Sequence, residues 1–206
     1  MVFIKISKMP LSAIFPIYFV LSALIVLISE FISRQSIIEV YEWLGGNIVL
    51  FFTAMFLIFV LLLLLLALTN RLYAPFFVVQ GIVFLLSCIS YFKQSQRNEP
   101  LFMADITLSN SIIGVIGEGN VWLTKPIISS FIIFVLITLV LFLFQRGFYP
   151  PDLNQRVFNL VFALMVSNYL LFTSFFNSNL WDDISYSSKG FVLGFLSHAL
   201  YDPQTE

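Results

Sequence analysis

Long uncharged apolar runs, separated by short polar breaks, set the pattern of this chain. One helical crossing of a bilayer takes roughly 20 apolar residues. Runs of about that length fall at Leu11–Ser29, Asn47–Leu68, Leu72–Phe92, Pro126–Gln145 and Val157–Phe176. Only helices satisfy their own backbone within such a run in hydrocarbon. The pattern therefore predicts an all-α membrane protein with five transmembrane helices, filling residues 1–176, followed by a juxtamembrane segment over 177–206. Pro10, Pro16, Pro75 and Pro126 lie at or near the starts of runs, where proline is best tolerated. Lys5 and Lys8 ahead of an apolar run also fit a secretory signal. That run exceeds a typical signal core and no small-residue cleavage site follows it, so it reads as a retained first helix.

Charge sets the expected orientation. With the N-terminus inside, the inner segments hold Lys5, Lys8, Arg71, Arg146 and Arg156, with Asp152 as their only acid. The other cations, Arg34, Lys93, Arg97, Lys125 and Lys189, are spread over longer loops that also hold the remaining acids. Short basic loops belong on the cytoplasmic side. The expectation is a multi-pass cell-membrane protein with its N-terminus cytoplasmic and its C-terminus extracellular. The Arg34–Gly46 and Lys93–Lys125 loops and the tail from Asn177 then face outward. Within them, Ile106, Ile112, Ile113 and Ile116 form one partial helical stripe, and Phe191, Phe195, Leu196 and Leu200 form another. Both segments suit short interfacial helices on the outer face, with Trp122 and Trp181 at headgroup level. Packing of the same stripes on the ends of the spans fits equally well.

Composition narrows the function. Hydrophobic residues make up 60% of the chain and charged residues 10%, against about 45–50% and about 25% in soluble domains. A net charge of −1 gives no basic footprint for nucleic acid. Cys88 is the only cysteine, so it has no disulfide partner within the chain, and it lies inside an apolar run. His198 is the only histidine; a lone histidine on a partly apolar helix is more often a surface group than a catalytic base. There is no Cys/His cluster for zinc and no glycine-rich phosphate loop. No ionisable residue lies at the centre of a span, where ion-coupled transporters need one.

The most chemically loaded stretch is Lys93–Asp105. Lys93 and Arg97 stand one helical turn apart, and an arginine offers a phosphate a bidentate fork. Glu99 and Asp105 are placed to pair with these cations. Glu30 and Arg34 form a second cluster in the favourable acid-before-base i,i+4 order. Both clusters belong to the same expected face. They read either as contacts for a phosphate-bearing lipid or polymer, or as solvated charges at helix ends.

Three segments together carry a family resemblance: EFISRQS at Glu30–Ser36, YFKQSQRNEPLFMADITL at Tyr91–Leu108, and YSSKGFVLGFL at Tyr186–Leu196. They resemble the N-terminal membrane part of lipoteichoic acid synthase-like proteins. These are membrane-anchored glycerol-phosphate transferases of the sulfatase and alkaline-phosphatase superfamily, found mainly in Gram-positive bacteria. Lys93, Arg97, Pro100 and Asp105 match the second motif, and Glu30 and Arg34 the first. Ser90 and Lys189 stand where the family often has asparagine. The resemblance implies cell-envelope polymer synthesis. It implies partners in membrane lipid, phosphatidylglycerol above all, and in an extracellular catalytic domain in cis or trans. That domain would carry a threonine nucleophile and a divalent metal, usually manganese. No cofactor and no catalytic residue is expected within these 206 residues, which reach about to the linker of that domain. The other reading is a non-enzymatic membrane scaffold or regulator of envelope synthesis.

Overall fold

The computed structural model describes residues 11–97, 124–145, 154, 156–158, 160–162, 164–165 and 190–193. Among them every regular element is helical: α1 (Leu11–Arg34), α2 (Ile37–Gly46), α3 (Ile48–Thr69), α4 (Tyr73–Arg97) and α5 (Lys125–Phe144). Four of these, α1, α3, α4 and α5, are long and apolar enough to cross a membrane. The chain is accordingly a multi-pass membrane protein by length and composition. Of the expected fifth span, residues 157, 158, 160–162, 164 and 165 are helical, and the rest lies outside the described residues. So do the Ile106–Gly117 stripe, Trp122, Trp181, His198, Glu99 and Asp105.

Two of the expected boundaries move. The first and third runs were expected to end at Ser29 and Phe92, just before a charge. The helices instead continue to Arg34 and Arg97. Glu30 and Lys93 are buried and therefore belong inside the helices rather than beyond them. The segment expected as the Arg34–Gly46 loop is largely helix. Gln35 closes α1 in the left-handed region (φ 59), with its N–H on the Phe31 carbonyl. Ser36 then caps α2 in extended geometry, its hydroxyl accepting from the Glu39 N–H, as expected where a Ser-x-x-Glu pattern starts a helix. Asn47 is the single residue between α2 and α3.

The bundle alternates in direction, with α1 and α4 running one way and α3 and α5 the other. α1 is the central helix and packs chiefly on α3 and α4, while α5 packs on α4. Tyr18, Ile25 and Ile32 of α1 are fully enclosed. Phe15 and Phe19 meet Phe59 of α3. Phe77 and Phe84 of α4 stack on Phe134 of α5 at ring-centroid separations of 5.7 and 6.3 Å.

The α3–α4 turn is tied from both sides. Asn70 adopts the left-handed conformation and its N–H bonds the Leu66 carbonyl. The Leu72 N–H donates to the Gln145 side chain at the end of α5. The Leu72 carbonyl accepts the Tyr18 hydroxyl of α1 at 2.9 Å.

Candidate functional site

The chemistry of the described residues gathers at the end of the bundle where α1 finishes. Glu30 is 1% exposed there. A buried carboxylate is costly unless it is paired and hydrogen-bonded, and both Glu30 oxygens are engaged. Oε2 accepts the Arg34 Nε–H at 3.0 Å, one helical turn further along α1. Oε1 accepts the backbone N–H of Phe191 at 2.5 Å, across 161 positions of sequence.

The Phe191 contact depends on the residue before it. Gly190 has φ +76, and a Cβ placed there would lie 2.6 Å from Trp43 Cζ2 and 2.7 Å from Glu30 Oε1. Backbone conformation and space both select glycine. The helical residues Phe191, Val192 and Leu193 that follow are all buried. They belong to the same apolar core as Trp43, Ile25 and Phe51.

Trp43 of α2 forms the remaining wall. It is 5% exposed and packs edge-on to Phe51 of α3. The Arg34 guanidinium carbon sits 5.3 Å from its ring centroid, within cation–π range. Arg34 thus bridges a carboxylate and an aromatic face. One carboxylate consequently joins α1, α2 and the 190–193 segment.

The second expected cluster lies at the same end of the bundle. Lys93 is buried, at 6% exposure, in the last turns of α4. The neighbouring Tyr91 and Phe92 pack against Ile28 and Ile32 of α1 and Ile127 of α5. Arg97 is the last residue of α4, one turn beyond Lys93. Glu30 and Arg34 are brought together as the sequence pattern indicated. Trp43, Gly190 and Phe191 were not singled out as their partners, although Gly190 and Phe191 stand inside the third resemblance segment.

Each Glu30 oxygen holds one partner, an arginine on one side and a backbone N–H on the other, and this arrangement suits positioning. Cys88 is partly buried against the Ile28–Ile32–Ile127 cluster. Among the described residues no three His, Cys, Asp or Glu side chains come together as metal ligands would. Comparison with protein-family models, with curated proteins and with solved structures finds no match to this chain.

Proposed function

We propose that this chain is the membrane domain of a lipoteichoic acid synthase-like glycerol-phosphate transferase. It anchors an extracellular catalytic domain and positions an anionic lipid or growing polymer beside it. The observation that carries this reading is the Glu30 joint. Two of the three segments that bear the resemblance, 161 positions apart, meet at one buried carboxylate. The cation-bearing part of the third segment begins at the same end of the bundle, at Lys93 and Arg97. A transferase working on phosphodiesters at a membrane surface needs cations at the interface and a rigid link to its reacting part. Lys93 and Arg97 answer the first need, and the Glu30–Phe191 tie, braced by Arg34, answers the second. In this reading the joint faces the cell exterior, as the loop charges indicate.

The test is lipid binding to the purified chain in detergent, by native mass spectrometry, comparing phosphatidylglycerol with phosphatidylcholine. Phosphatidylglycerol should bind more tightly. Replacing Lys93 and Arg97 together by glutamine should weaken it about tenfold or more, since each cation near an anionic headgroup contributes about 1 kcal/mol and 1.4 kcal/mol is a factor of ten. A thermal melt of the same variant separates lost binding from lost folding. Equal binding of the two lipids, unchanged in a folded double variant, would remove the lipid-positioning role and leave the scaffold reading.

A further inference from the structure

α2 has three differently composed faces around its circumference. Val40 and Trp43 point toward the bundle, Trp43 being buried and Val40 half-buried. Glu39 and Glu42 lie on a second, exposed arc. Ile37, Ile38 and Tyr41 occupy a third arc, flanked by half-buried Leu44, and are 72%, 71% and 76% exposed. At ~100° per residue the apolar and acidic arcs are adjacent, Ile38 and Glu42 standing ~40° apart and Glu39 ~100° from Ile38, and the face held by the bundle completes the circumference. A ten-residue helix presenting two isoleucines and a tyrosine outward, with its acids gathered elsewhere, is not patterned for water on every free side.

The chain fixes where this apolar arc must lie. Two residues, Gln35 and Ser36, join α2 to the end of α1, and Asn47 alone joins it to α3. Both neighbours are membrane-spanning in length and composition. α2 is therefore held at the level where two spans leave the hydrocarbon. Its apolar arc is continued in sequence by the exposed Ile48, Val49 and Phe52 on the first turns of α3.

We infer that α2 is an interfacial anchor. Ile37, Ile38 and Tyr41 enter the boundary between acyl chains and headgroups, Tyr41 sits at headgroup level, and Glu39 and Glu42 face water. The partner is the lipid surface itself. One consequence is that Trp43, on the opposite side of the same helix, is pressed toward Glu30 and Arg34 by the seating of α2 in the membrane.

The test uses the full chain in vesicles of phosphatidylcholine and phosphatidylglycerol. Nitroxide labels are placed singly at Ile38→Cys, Tyr41→Cys and Glu39→Cys in a Cys88→Ser background. Collision with oxygen, which concentrates in lipid, should exceed collision with a water-soluble nickel complex severalfold at positions 38 and 41, and the ratio should invert at position 39. Equal nickel access at 38 and 39 would overturn the inference, because α2 would then stand clear of the membrane. Shielding of 38 and 41 from both reagents would overturn it as well, since protein, such as a second copy, would then cover the arc.

Discussion

The two helix pairs α1–α4 and α3–α5 face the same membrane with different material. The described buried residues of α3 are all apolar, and α5 adds only Ser130 to its apolar set. α1 buries Ser22, Ser29 and Glu30, and α4 buries Gln80, Ser87, Ser90 and Lys93. Enclosure follows a different order, with protein covering 50% of the apolar window of α1, 44% of α3, 33% of α4 and 22% of α5. A leucine gains little by leaving lipid for another helix, because acyl chains are equally apolar. Apolar burial alone therefore says little about which helices belong together, and the buried polar groups of α1 and α4 carry more of that information. Within the polar pair, Ser22, Ser29 and Ser87 return their hydroxyls to carbonyls of their own helices. Their small side chains allow close approach at little polar cost.

Removing the Glu30 carboxylate should produce the largest effect. Glu30→Ala leaves the Arg34 charge and the Phe191 N–H without their acceptor, and breaking a buried pair from one side costs about 3–5 kcal/mol. The lower end applies, because the Arg34 side chain is 19% exposed. A large drop in thermal midpoint in detergent, with faster proteolysis near residue 190, is the expected readout. An unchanged midpoint would show that the joint is not structural.

Gly190→Ala should come next. It forces a side chain into left-handed backbone and against Trp43 and Glu30, at about 2 kcal/mol. The melting loss should be additive with a distant substitution and strongly non-additive with Glu30→Ala.

Gln80 sharpens the comparison in the opposite direction. It is fully buried and neither its Oε1 nor its Nε2 has a hydrogen-bond partner among the described residues. Gln80→Leu should raise stability by about 1–2 kcal/mol, because it removes an unpaired buried amide. A lowered midpoint would mean that this amide meets a polar group in the membrane.

The smallest effects separate the pairs most cleanly. Tyr18→Phe deletes one hydroxyl bond to the Leu72 carbonyl, and buried polar bonds in membrane bundles average about 0.6 kcal/mol. Leu136→Val, at an exposed position of α5, should change the midpoint by less than about 0.5 kcal/mol. If the α5 change proved the more costly, another surface would cover α5.

These contrasts also show what sequence could reveal. α3 and α5 were legible to within a residue at each end, since hydropathy alone defines an apolar span. The ends of α1 and α4 were read short at Ser29 and Phe92, because a charge ordinarily signals water; burial of Glu30 and Lys93 at the bundle end overrides that rule. α2 is too short for a hydropathy window, yet Ser36 and Glu39 carried a capping signal that could have marked its start. The Glu30–Arg34 pair was legible because it is local. Its tie to Gly190 and Phe191 was not, since no periodicity links residues 161 positions apart.

The α3–α4 turn bears on how the protein enters its membrane. Thr69 and Tyr73 are separated only by Asn70, Arg71 and Leu72, at most about 3.6 Å of reach each. So short a link cannot cross roughly 30 Å of hydrocarbon, and neither helix can reverse without the other. Translocation machinery must therefore accept the two as one hairpin, whose tip carries the exposed Arg71. An error in its insertion would invert both spans together, and Gln145 and Tyr18, which grip Leu72 from α5 and α1, would find the hairpin tip at the far side of the bilayer.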